Sequence, residues 1–205
     1  MTLSNFVARQ LGNPTGIIGS FAGWTWNRRN AALNDTVLDL LALQPTDRVL
    51  EIGFGGGYLL QRMASIVSEG WLAGVDQSPA MVSYAEKYNR HALKAGRLEL
   101  YCAPAEALPF ADRSFNKICS VNSIFYWQNI EQGIQEIARI MVVNGKAVLC
   151  FTSKGSLEKK GFAKNIKLVD HCELESIMKE NGLHAINSAS FSDPYRQYTC
   201  IIGQK

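Results

Sequence analysis

Several familiar constellations are missing from this 205-residue chain. It has 3 histidines, His91, His171 and His184, which are isolated and form no metal-ligand spacing motif. Its 5 cysteines, at 102, 119, 150, 172 and 200, make no C-x-x-C and are odd in number. A reduced, cytoplasmic chain is therefore expected rather than a disulfide framework. No apolar run reaches the length of a membrane span, and the N-terminus lacks the apolar core of a secretory signal. Lys/Arg blocks never exceed two consecutive residues and the net charge is only +3, which speaks against a dedicated nucleic-acid surface. Ser123 and Ser156 have no adjacent His/Asp arrangement, so a hydrolase triad is not supported.

A sizeable core is present in compensation. Hydrophobic residues make up 47% of the chain and charged residues 19%, which excludes disorder and predicts one domain. Apolar β-branched runs alternate with helical periodicity up to about residue 150, which predicts a parallel sheet wound on both faces. Expected strands lie near 48–53, 71–76, 97–103, 115–123 and 146–152. Expected helices lie near 24–43, 58–68, 78–95 and 129–143. Ser78-Pro79 reads as an N-cap and first helical residue, and Asn129 with Gln132 as a capping box. Residues 153–169 are lysine-rich and read as a connection. Two closing strands around DPYRQ should pair antiparallel, because the connection is too short for a crossover.

The most informative stretch is RVLEIGFGGGY, residues 48–58: a strand, a glycine turn and the start of a helix. Without Cβ atoms the turn can approach a ligand closely. Glu51 stands two residues before the first glycine, where a carboxylate can meet an ammonium group. About 20 residues after the turn, WLAGVDQ ends in Asp76, which can accept both hydroxyls of a ribose. These features point to a nucleoside carrying an amino-acid-like group. A dinucleotide reading competes, since Gly53 and Gly55 fit G-x-G-x-x-G. The third position of that fingerprint is Tyr58, where close packing wants glycine.

Glu51, Gly53, Gly55 and Gly57 match E-x-G-x-G-x-G in full, and here the chain resembles the class I methyltransferases that use S-adenosylmethionine. The resemblance covers roughly residues 46–152, and the remainder more loosely. It implies a Rossmann-like, doubly wound α/β fold with seven strands in the order 3-2-1-4-5-7-6, mostly parallel with the last strand antiparallel. It implies one methyltransferase domain over 1–205, with 1–43 as a helical extension or lid and 44–205 as the core. It further implies S-adenosylmethionine as cofactor, S-adenosylhomocysteine as product, and a small-molecule acceptor with neither nucleic acid nor membrane as partner.

By the same resemblance the glycine turn holds the methionine part of the cofactor, its amides serving the carboxylate. Asp76 holds the ribose, Gln77 beside it belongs to the cofactor-binding set, Met81 lies against adenine, and Ala105 meets adenine through its amide. The usual pattern has an Asp immediately before that alanine. Here the position is Pro104, and Glu106 is either a replacement or a solvated loop residue. Asn122 borders the methionine end. Tyr126 and Trp127 wall the acceptor pocket, and Trp24, with Phe21 and Trp26, belongs to the candidate lid. The family's Leu-His-His run is absent, so no histidine base is expected there. The alternatives are a non-catalytic S-adenosylmethionine-binding protein and an NAD(P)-dependent oxidoreductase.

Overall fold

The computed structural model describes residues 30–159 and 166–205. A seven-stranded sheet runs β3-β2-β1-β4-β5-β7-β6. Its strands are β1 (Arg48–Ile52), β2 (Trp71–Asp76), β3 (Glu99–Cys102), β4 (Phe115–Val121), β5 (Met141–Thr152), β6 (His184–Asp193) and β7 (Arg196–Gln204). The first five pair in parallel, while β7 is antiparallel to both β5 and β6. This is the order and the strand direction that the resemblance implies.

Helices cover both faces, which is why the central strands are apolar on both sides rather than alternating. Helices α1 (Ala31–Leu41) and α2 (Tyr58–Ala64) put Leu33, Val37, Leu41, Leu59, Leu60 and Met63 on the face that also carries Val49 and Cys119. The opposite face carries Leu50, Ile52 and Ile118 and packs against α5 (Ile130–Ile140) and α7 (His171–Glu180). Ile130, Ile134 and Ile137 recur at helical spacing and are all buried, so α5 shows the sheet a single apolar stripe. Two pieces, α3 (Pro79–Tyr88) and α4 (Arg90–Lys94), replace the one helix expected over 78–95. Asn89 breaks it, turning its side-chain amide onto the carbonyls of Gly57 (3.0 Å) and Ala85 (3.1 Å). A further helix, α6 (Lys154–Lys159), occupies part of the expected connection. The expected end of α5 at Asn144-Gly145 is instead a bulge inside β5, with Asn144 at φ 63°.

Two sequence-level caps are confirmed with a difference. Ser78 caps α3, with Pro79 as its first residue. Asn129 Oδ1 accepts from the Gln132 amide at 3.1 Å, but Gln132 does not reach back. The carboxylate of Glu106 accepts from the Asn129 amide at 3.0 Å instead, so the second half of the capping box comes from another loop.

Gly57 marks the point where the glycine turn meets α3. Its φ is +74°, and a Cβ there would lie 2.6 Å from Asn89 Nδ2 and 2.9 Å from Ala85 Cβ. Gly57→Ala is therefore expected to destabilise the protein by about 1–3 kcal/mol, combining left-handed backbone strain with overpacking. Thermal melting should show a fall of roughly 2–4 °C per kcal/mol. An unchanged melting temperature would mean that α3 moves away freely.

Candidate active site

The glycine turn, the end of β2 and the end of β4 converge on one cavity at the carboxyl ends of the parallel strands. Ligands bind at this edge in open α/β sheets, because the strand order reverses between β1 and β4. Among the described residues its charged lining consists of Glu51, Asp76 and Arg196.

Glu51 is 3% exposed and its Oε2 has no hydrogen-bond partner. Burial, and secondarily the nearby Asp76, push its carboxyl well above the ordinary value of 4.5, while the Leu60 amide near the start of α2 opposes the shift. A buried carboxylate oxygen without a partner is unusual and calls for a counter-ion. Asp76 is 8% exposed but well partnered. Its Oδ2 accepts from the Gly55 amide and its Oδ1 from the Ser78 amide, both at 2.9 Å. Burial raises its pKa, and these two bonds act against the rise.

Three amides of the glycine turn are engaged within the protein. The Gly53 amide donates to Val75 O (2.7 Å), that of Gly55 to Asp76, and that of Gly57 to Phe54 O (2.9 Å). Gly53 and Gly55 still line the cavity, but Gly57 does not. Gly53 also makes room for β4: a Cβ there would sit 2.1 Å from Ser123 Cβ. Ser123 is itself pinned, donating to Ile52 O at 3.0 Å and accepting from Trp127 Nε1 at 3.1 Å.

Gln77, Ala105, Asn122, Tyr126 and Trp127 line the cavity. Besides Gly57, two further residues expected at the cofactor are outside the lining. Met81 is 1% exposed and lies outside the lining, because helix spacing turns it into the interior. Glu106 is turned away to cap α5. Pro104 is exposed and outside the lining, flanked by the lining residues Ala103 and Ala105. Trp24, Phe21 and Trp26 lie outside the described residues.

The far end of the cavity was not foreseen. Asn122, at φ 55°, accepts through Oδ1 from the Thr152 amide (2.8 Å) and hydroxyl (3.0 Å). Its Nδ2 donates to Asn30 Oδ1 at 3.1 Å, which also accepts from Arg196 Nη1 at 3.1 Å. These polar groups stand beside Phe125, Leu157 and Ile166. Arg196 was legible only through topology: because β7 runs antiparallel, its first residue lies at the carboxyl ends of the other strands. Tyr126 also faces the cavity, and burial pushes its pKa up to about 12, so it is no base at neutral pH. All three histidines are exposed, away from the cavity. His171 does share a surface cluster with Asp170 and Cys172, their ligand atoms within 4.8 Å, where Asp170 serves as the N-cap of α7. Among the described residues no helix is long and apolar enough to cross a membrane.

Known proteins agree with this architecture. The sequence model of the family described as "Methyltransferase domain" matches residues 50–149. The uncharacterized methyltransferase YdaC of Bacillus subtilis (strain 168) is 30% identical over 128 residues, covering 62% of this chain and 68% of YdaC. YrhH of the same organism, also named as a methyltransferase, is 29% identical over 141 residues, 66% of this chain and 77% of its own. A solved geranyl diphosphate methyltransferase in complex with S-adenosylmethionine superposes with a TM-score of 0.74 at 15% identity, covering 95% of this chain and 93% of that one.

The raised pKa of Glu51 fixes a pH dependence. The folded state holds a proton that the unfolded chain gives up near 4.5, so folding stability falls as pH rises from there through the folded value. Asp76 contributes in the same sense from its ordinary 3.8. Glu51→Gln removes the first contribution. Without ligand, the melting-temperature difference between Glu51→Gln and wild type should grow in favour of the variant from pH 5 to pH 8. A constant difference would contradict the assignment.

Proposed function

Since the chain belongs to the class I S-adenosylmethionine-dependent methyltransferases, we propose that it binds S-adenosylmethionine in this cavity and methylates a small, largely apolar acceptor. The observation that carries the reading is the buried, unpartnered Oε2 of Glu51 facing the cavity. An ammonium group placed there restores the charged form and satisfies the orphaned acceptor.

The rest of the lining fits the same ligand. Each Asp76 oxygen accepts one backbone amide and has a second lone pair for a ribose hydroxyl. Ala103 and Ala105 offer an apolar bed for a base beyond β3. Pro104 offers no carboxylate to an adenine amino group, so apolar contact and backbone groups are left to hold the base. When bound, this cofactor supplies a methyl carbon on a sulfonium, already open to displacement. The chain's own work is alignment and exclusion of water. Asn122 and Ser123, fixed by the bonds above, form a floor between the two ends of the cavity. Phe125, Tyr126, Trp127, Leu157 and Ile166 supply an apolar wall for the acceptor. The concave, apolar character of that wall favours a small molecule over a nucleic-acid chain.

Calorimetry with S-adenosylmethionine, S-adenosylhomocysteine and a reduced nicotinamide dinucleotide tests the reading. The first two should bind with Kd near ~1 μM, about −8 kcal/mol. Tight dinucleotide binding with neither of the others would overturn it. Asp76→Asn should weaken S-adenosylhomocysteine by about 1.5–3 kcal/mol, the scale of a hydrogen bond to a charged group. An unchanged affinity would leave Asp76 a purely structural tie between Gly55 and Ser78.

A further inference from the structure

The charges lining the cavity are sorted by sign. Glu51 and Asp76 end the adjacent strands β1 and β2. Arg196 lies at the other end, its Nη1 3.4 Å from Thr152 Oγ1 on the last residue of β5. Through the register, Glu51 is opposite Cys119 and Cys119 opposite Val148, four residues before Thr152. That places Thr152 about 10 Å across the sheet and about 13 Å along it from Glu51. The α-carboxylate of an amino acid held by Glu51 lies far short of that span. Arg196 therefore stands at the end of the cavity away from the two carboxylates.

The guanidinium is also held in a fixed attitude. Asp193, 5% exposed at its side chain, stands 3.5 Å from Nε and does not line the cavity. Nη1 is directed to Asn30 and Thr152, which do. The positive group thus has its counter-ion behind it and its fork toward the cavity. A buried ion pair by itself is a poor source of stability, and here it fixes the direction of the guanidinium. Apolar side chains, Leu157 and Ile166 among them, line the same cavity.

We propose that Arg196 is a specificity-determining residue that selects an acceptor carrying an ionised oxygen, a carboxylate or a phenolate, on an otherwise apolar body. The proposal rests on the methyl-transfer reading of the cavity and adds the chemical class of the acceptor. An acceptor that arrives ionised has no proton to lose, so its methylation needs no general base. Arg suits the task because its planar fork matches oxygen anions and stays charged at any working pH.

The test uses two matched pairs of probes at pH 8.5 with saturating S-adenosylhomocysteine: 4-nitrobenzoate against 4-nitrobenzamide, and 4-nitrophenolate against 4-nitroaniline. Equilibrium dialysis should show the anion of at least one pair binding roughly ten-fold more tightly than its neutral partner. Which pair shows it tells carboxylate from phenolate. Arg196→Met should bring the ratio to within two-fold, and Arg196→Lys should keep most of it. Asp193→Asn, which removes the counter-ion behind the guanidinium, should raise it and decides the matter should Arg196→Met not fold. Equal binding within both pairs, no binding by any probe, a ratio that survives Arg196→Met, or a ratio unmoved by Asp193→Asn overturns the proposal. So does an Arg196→Met protein that loses S-adenosylhomocysteine affinity while keeping the anion ratio, which would place Arg196 on the cofactor. A titration of S-adenosylhomocysteine alone scores the methyl-transfer reading separately. An anion preference without cofactor binding would sink that reading and leave the subsite standing.

Discussion

Two carboxylates end adjacent parallel strands inside the core, and the site is organised around the cost of keeping them there. Asp76 resolves that cost within the protein. By accepting from Gly55 and Ser78 it ties the turn after β1 to the start of α3, so the end of β2 fixes the shape of the glycine turn. Glu51 is left with an oxygen unanswered. Burial and the neighbouring Asp76 favour its neutral form, which makes it a stored demand for positive charge facing the cavity. A core residue there would be apolar. A buried carboxyl with one oxygen unpartnered is suited to a cation that completes it.

The glycines serve close packing more than ligand contact. Gly53 lets the residue after β4 approach until Ser123 hydrogen-bonds the last carbonyl of β1, and Gly57 lets α3 lie against the turn. Both bring neighbouring elements nearer than a Cβ would permit. A polar chain then runs from Asn122 through Thr152 and Asn30 to Arg196, joining the ends of β4 and β5, the start of α1 and the start of β7. The basic end of the cavity is thus held by a single connected frame.

Much of this was legible in the sequence. The strand-turn-helix at 48–58 and the Asp76 that follows are local patterns whose chemistry depends on spacing, and spacing survives folding. Tyr126, Trp127 and Asn122 could be placed because they follow a strand whose direction was already known. What escaped depended on partners distant in sequence. Glu106 looked like a ligand candidate or a solvated loop residue, since its partner at Asn129 lies 23 residues on. Met81 follows Asp76 closely, but the turn of α3 points it inward. Asn89 broke a helix that periodicity alone would continue, because its amide answers carbonyls at Gly57 and Ala85. Arg196 sat in a hairpin turn and reached the cavity only because β7 reverses direction beside β5.

The account stands on Glu51 being protonated when the cavity is empty and ionised when a cation sits against it. Proton exchange on binding reads this directly. S-adenosylhomocysteine should be titrated by calorimetry at pH 6, where its ammonium is already charged, in buffers of different ionisation enthalpy. Release of a proton on binding, lost in Glu51→Gln, is the predicted result. Binding with no proton released, or a release that persists in Glu51→Gln, would contradict it.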